Sequence, residues 1–110
     1  MDWLRVEVTP FYKGKLGYLA PYFKSKWGYI DKTGKMVIPP QFDWAWNFSE
    51  GLALVTKGNT EGFIDKTGKF VIKPHYIWAE PFSDGIAPVT TDSSFGYIDK
   101  SEKYIWKSSH

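Results

Sequence analysis

Any catalytic or metal chemistry in this chain would have to start from very few groups. There are 2 His, His75 and His110, and no Cys. The lack of Cys removes disulfides, zinc-thiolate sites, iron–sulfur clusters and cysteine nucleophiles together. His110 is the last residue, and His75 follows Pro74, which places it in a surface loop. Ser49 and Ser83 could supply a hydroxyl for a Ser–His pair, but both belong to a turn that recurs in the sequence. No nucleophile elbow, glycine-rich phosphate loop or paired set of metal ligands accompanies them. Asp31, Asp65 and Asp99 could be carboxylates for catalysis or calcium. Turn chemistry already accounts for them, and none lies in the oxygen-dense loop that calcium needs. The chain is expected to be no enzyme and to carry no cofactor and no metal.

The elements that must position these residues come from internal repetition, which is best sought first. KWGYIDKTGKMVIPPQFDWAWNFSEGLALVTKGN (26–59) lies over TEGFIDKTGKFVIKPHYIWAEPFSDGIAPVTTDS (60–93) without a gap, identical at more than half of its positions. A third copy begins with SFGYIDKSEKYIWK and stops after its first half. Gly28, Gly62 and Gly96 keep one register, and Asp31, Asp65 and Asp99 another. A worn second half precedes the first full copy, with Gly17 in register with Gly51 and Gly85. The single domain, 1–110, therefore divides into a degenerate half repeat (1–25), two repeats (26–59 and 60–93) and a closing half repeat (94–110).

A period of about 34 residues also belongs to tetratricopeptide helix pairs. Gly and Pro break every stretch long enough for such helices, and the apolar spacing runs at two. Strand and turn remain. Trp27–Asp31 and Lys35–Pro39 are short, β-branched or aromatic segments joined by Asp31-Lys32-Thr33-Gly34. In that turn Asp bonds its own downstream backbone and Gly supplies a left-handed residue. Glu102 replaces the Gly in the third copy, at about 1 kcal/mol if the left-handed conformation is kept. Pro39-Pro40 is expected to end the hairpin, because proline cannot donate to a ladder. An irregular stretch (41–47), a second turn at Phe48-Ser49-Glu50-Gly51 and a third strand, Leu52–Thr56, complete the unit. The expected fold is all-β: tandem three-stranded antiparallel units, about nine strands, stacked as a short curved array or solenoid. A closed three-unit ring or barrel, with the C-terminal hairpin completing the N-terminal partial unit, is the alternative.

Residues 26–107 resemble the WG-repeat (KWG-repeat) family. The resemblance rests on KWGYIDKTGKMVIPPQFD with FSEGLALV, GFIDKTGKFVIKPHY with FSDGIAPV, and FGYIDK. The naming Trp stands only at Trp27, being Glu61 and Phe95 later, and the first half repeat has Gly14 where the others have Phe. The resemblance implies a tandem β-repeat array, mostly bacterial, and a role in binding other macromolecules.

Composition agrees with a folded binding module. The chain is 43% hydrophobic and 24% charged, with 6 Trp, 7 Tyr and 8 Phe. That aromatic supply excludes disorder, and 110 residues suffice for one core without staples. No targeting segment or membrane-length apolar run is visible, and a cytoplasmic location is expected. Met1 and the polar Lys-Ser-Ser-His tail are read as the ends of a complete small gene product. The formal net charge of +2 is too balanced for a dedicated nucleic-acid binder, so nucleic acid and membrane are not expected as partners. Lys32 with Lys35, Lys66 with Lys69 and Lys100 with Lys103 bracket the same hairpin, while Glu50 and Asp84 mark the other turn. In-register stacking would put a Lys stripe on one edge, protecting strands from foreign pairing, and an acidic stripe on the other.

A position kept in every copy is explained by the unit's own folding; one unique to a copy is not. Ile30, Ile64 and Ile98, Val37 with Val71, and Phe48 with Phe82 are assigned to the core. Trp44 with Trp78 is assigned to packing between repeats. Trp3, Tyr12, Tyr22, Phe23, Trp27, Trp46 and Trp106 break the pattern. They either cap the array and support self-association through the terminal half repeats, or form a binding surface of rigid aromatics. The expected function is non-enzymatic binding of another protein, in the manner of a small bacterial or phage inhibitor or immunity-type protein. Carbohydrate or cell-wall binding through the aromatics is the alternative.

Overall fold

The computed structural model describes residues 3–8 and 25–108, and every β-segment among them is short. In chain order they are β1 (Leu4–Val8), β2 (Lys26–Ile30), β3 (Met36–Phe42), β4 (Trp44–Ala45), β5 (Ala53–Lys57), β6 (Thr60–Ile64), β7 (Phe70–Tyr76), β8 (Trp78–Ala79), β9 (Ala87–Thr90), β10 (Phe95–Ile98) and β11 (Tyr104–Lys107). No helix occurs among the described residues, and so none is long and apolar enough to cross a membrane. The strands form three antiparallel sheets, β1-β2-β3, β4-β5-β6-β7 and β8-β9-β10-β11. The all-β repeat array expected from the sequence is the observed fold.

The sheets are offset from the sequence copies by half a repeat. Each full copy gives its hairpin to one sheet and its second half, including the two-residue strand β4 or β8, to the next. Among the described residues no ring closes: the C-terminal hairpin β10–β11 pairs with β9 and not with β1. The radius of gyration, 16.3 Å, also exceeds the roughly 13 Å of a compact chain of this size. Beside β2, the place held by β5 beside β6 is taken by Leu4–Val8, pairing Leu4 with Ile30 and Val6 with Gly28. The Gly17 register of the worn half repeat falls outside the described residues.

Pro39-Pro40 does not end its strand; β3 runs on to Phe42. Trp27 pairs with Phe42, Tyr29 with Ile38 and Ile30 with Met36, so β3 bulges twice over β2. The same shifts recur between β6 and β7. Bulged residues have no place in the ladder, which makes proline tolerable there. The bulge lies directly on the repeated glycine. A Cβ on Gly62 would stand 2.5 Å from the Ile72 carbonyl oxygen and 2.7 Å from Pro74 N, and Gly28 meets Ile38 and Pro40 in the same way.

The turns are built as expected. Asp31 Oδ1 accepts from the Thr33 amide (2.9 Å), the Thr33 hydroxyl (2.6 Å) and the Lys35 amide (3.0 Å). Asp65 and Asp99 repeat the set. Gly34 and Gly68 have φ near +90°, and Glu102 keeps the left-handed conformation at φ 67°. Its carboxylate accepts from the Tyr76 hydroxyl at 2.7 Å and faces His75 Nε2. A charge-assisted bond of about 1.5–3 kcal/mol offsets the strain of about 1 kcal/mol.

Alternation along each strand places the core between sheets. In β5, Ala53 and Val55 face the first sheet while Leu54 faces the third; in β6, Ile64 faces the first and Phe63 the third. The first junction packs Tyr29, Ile38 and Phe42 on Ala45, Ala53, Val55 and Ile64. The second packs Phe63, Ile72 and Tyr76 on Ala79, Ala87, Val89 and Ile98. Each buried aromatic or branched side chain contributes about 1.5–3 kcal/mol. Three core assignments are corrected. Val37 is half-buried and Val71 is 48% exposed, the inward places being held by Ile38 and Ile72; Ile30 is only half-buried, no sheet among the described residues packing on its face.

Gly62→Ala should lower stability by about 1–3 kcal/mol through overpacking against backbone, whereas Gly34→Ala should cost about 1 kcal/mol of conformational strain. Denaturant midpoints distinguish the two, and equal losses would mean that the crossing strand yields freely.

Candidate functional site

The most distinctive exposed surface lies at the first sheet junction. Trp44 opens β4 with its side chain outward, because the next residue, Ala45, is wholly buried. Trp44 and Trp46 are 40% and 41% exposed, so the expected packing role for Trp44 is corrected, as is that for Trp78 at 46%. The Trp44 ring meets Trp27 edge-on at 4.8 Å, with planes inclined 63°, and Trp46 at 6.4 Å and 82°. Arg5 on β1 completes the group. Its guanidinium lies 5.0 Å from the Trp27 ring and 5.2 Å from the Trp44 ring, and Nη1 donates to the Ala45 carbonyl at 2.9 Å. Cation–π contacts contribute about 0.5–1 kcal/mol each at such partly exposed positions. Beneath them the buried Tyr29 hydroxyl donates to the Trp46 carbonyl at 2.6 Å. Burial, only partly opposed by Arg5, pushes that phenol far above its ordinary range, so it is a fixed donor.

This group occurs at one junction only. The slot of Trp27 holds Glu61 in the second copy, whose carboxylate accepts from the Ala79 amide and the Thr56 hydroxyl. The slot of Trp46 holds Glu80. Trp78 therefore lacks the arginine–aromatic surroundings of Trp44.

The other aromatics that break the repeat are dispersed. Trp3 is half-buried against the first core and donates through Nε1 to the Lys66 carbonyl, which ties the start of the chain to the second hairpin. Trp106 stands on β11 in the last sheet, 52% exposed beside Phe95 and Tyr97. Tyr12, Tyr22 and Phe23 lie outside the described residues. Thus Trp27 and Trp46 come together, Trp3 and Trp106 do not join them, and Trp44 and Arg5 were missed. Trp44 was legible from its neighbour: a small Ala kept in both copies marks the inward residue and turns the Trp outward. Nothing in the sequence marks Arg5.

The groups considered for chemistry have structural partners. His75 lies on β7, not in a loop, and faces Glu102. Ser49 Oγ donates to the Phe82 carbonyl at 2.7 Å. The Lys and acidic turns are not on opposite edges: Lys100 donates to the Glu50 carbonyl and pairs with its carboxylate at 3.6 Å. The Glu50 carboxylate also accepts from the Gly85 amide.

Comparison with known proteins gives one result. The family model described as WG containing repeat matches residues 27–60 and 62–93, more than half of the chain. No curated protein and no solved structure matches.

The three turn aspartates are held below the ordinary carboxylate range, first by the hydroxyl bond from Thr33, Thr67 or Ser101 and then by the turn amides. A carboxyl depressed by folding stabilises above its unfolded value and loses that contribution as pH falls through the folded value. The thermal midpoint should therefore decline as pH drops below about 4. A variant with Asp31→Asn, Asp65→Asn and Asp99→Asn should show a shallower acid limb, and an unchanged limb would assign it to other groups.

Proposed function

The chain belongs to the WG-repeat family, and on that premise we propose that it is a non-enzymatic protein-binding module whose contact surface is the Arg5–Trp27–Trp44–Trp46 group. The observation that carries this reading is the arginine held against two tryptophans and bonded to the Ala45 carbonyl. Trp and Arg dominate interface hot spots. Side chains already fixed against one another lose little further freedom on binding, which leaves more of the contact energy for affinity. Arg5 retains further N–H donors beyond the one given to Ala45. The matching partner surface is apolar with a carbonyl or carboxylate at its centre. A small rigid body of this kind acts by covering its partner, as an inhibitor or immunity-type protein does.

Carbohydrate binding would use ring faces laid parallel to the sugar. The steep inclinations between these rings, 63° and 82°, favour an irregular protein surface instead.

Affinity capture from a lysate of the source cell should recover a stoichiometric protein partner. The double variant Trp44→Ala/Trp46→Ala should weaken that complex about 30-fold or more, the loss of at least one hot spot of about 2 kcal/mol. Trp78→Ala, an exposed Trp in the same slot without the cluster, should leave it unchanged. A saturable tryptophan-fluorescence change with a glycan, and no protein partner, would transfer the surface to carbohydrate.

A further inference from the structure

The two outer faces of the stack are the unmatched halves of the junction that the chain makes twice within itself. At both internal junctions the earlier sheet presents an aromatic–isoleucine cross-strand pair, Tyr29 with Ile38 or Phe63 with Ile72, and the later sheet covers it with Ala, Val and Ile side chains and one flanking aromatic, Phe70 or Tyr104. Ile38 and Ile72 hold the same slot on the forward faces of the first two sheets, opposite Tyr29 and Phe63, and each is 1% exposed. The third sheet puts Trp106 in that slot, opposite Tyr97, and leaves it 52% exposed. Phe95 adjoins both, with ring centroids 5.8 Å from Tyr97 and 5.6 Å from Trp106. The forward end of the chain is thus an uncovered aromatic face.

The backward end shows the complement. Ile64 and Ile98 are buried on the backward faces of the second and third sheets, whereas their counterpart Ile30 is half-buried. Its cross-strand partners, Leu4 and Met36, are 54% and 41% exposed. Leu4 takes the place that Ala53 holds beside Ile64, and Met36 the place of Phe70. This face keeps the isoleucine of the inner backward faces and is wholly aliphatic where those carry Phe70 or Tyr104. Its flexible Met and Leu suit it to a large aromatic knob.

The geometry points to a second copy of this chain as the occupant, docked head to tail, with Phe95, Tyr97 and Trp106 of one molecule covering Leu4, Ile30 and Met36 of the next. The contact continues the intramolecular stacking step and does not involve the Trp44–Trp46 surface. Because the two patches differ, the contact is heterologous. Repetition of it gives a ring or an open filament, not a two-fold dimer.

Analytical ultracentrifugation over a wide concentration range tests this. Wild type should grow beyond a dimer as concentration rises. Trp106→Glu and Met36→Glu each ruin one face at a position already exposed, so each should keep its circular-dichroism melt and sediment as a monomer. An equimolar mixture of the two retains one intact pair of faces and should form a one-to-one heterodimer that grows no further. A wild-type chain that stays monomeric throughout the high micromolar range overturns the proposal and leaves the faces to some other protein. So does a Met36→Glu variant that still self-associates, which would mean two forward faces meeting. So does a mixture that fails to pair. Loss of the lysate partner in the Trp44→Ala/Trp46→Ala variant is read separately, since those residues lie outside both faces.

Discussion

The backbone crossing at Gly28 and Gly62 is the constraint on which the rest of the molecule depends. At each site the following strand lies where a Cβ would be, against the carbonyl of Ile38 or Ile72 and the nitrogen of Pro40 or Pro74. Contact that close lets one strand bulge across the other and bends the hairpin sharply. The bend carries Phe42 and Tyr76 back opposite Trp27 and Glu61, and the chain then leaves directly for the next sheet at Trp44 and Trp78. A side chain at the glycine would straighten the hairpin and misdirect that exit. The third copy keeps Gly96 but lacks the proline. There β11 shifts register once against β10, between Tyr97 and Ile98, instead of twice, and no further sheet follows among the described residues.

The bend makes each sheet two-sided. A sheet with water on one face alternates apolar and polar residues, whereas Ala53, Leu54 and Val55 are all buried in succession, as are Phe63 and Ile64. The stack is therefore a one-dimensional sum of junctions. Polar bonds reinforce the apolar ones: Ser49 to Phe82, Glu61 to Ala79, Glu102 to Tyr76 and Lys100 to Glu50 each join one sheet, or a turn belonging to it, to the next. These bonds are the reason that Glu102 is tolerated where glycine would relieve the backbone. At the two ends no neighbouring sheet is present among the described residues, and there Met36 and Trp106 are exposed.

Much of this was legible before any coordinates. The copies, the turn aspartates, the left-handed residue at Gly34 and Glu102 and the lack of helices among the described residues follow from residue types and spacing, and the repeat family from the resemblance of the quoted strings. Two of the differences arise at the bulges. Period-two alternation assigns faces correctly only in a strand without bulges, and β3 and β7 bulge twice each. Repetition alone does not separate Val37 and Val71 from the inward Ile38 and Ile72, and the missing donor of Pro39-Pro40 does not end a strand that bulges there. The candidate site was half legible: Trp27 and Trp46 stood out as unrepeated aromatics, while Trp44 was hidden by being repeated.

By itself the sequence determined the unit: its period, its turns and its strand-forming segments. These depend on local chemistry, in which an aspartate bonds the next few amides and a glycine adopts a conformation closed to other residues. Only the tertiary structure decided the frame in which units join, which faces are covered, and that Arg5 meets Trp27 and Trp44 from 22 residues or more away along the chain. Those outcomes depend on contacts between distant segments. The same repeated residue can be buried at one level of the stack and exposed at the next, because its surroundings, not its identity, set how much water it meets.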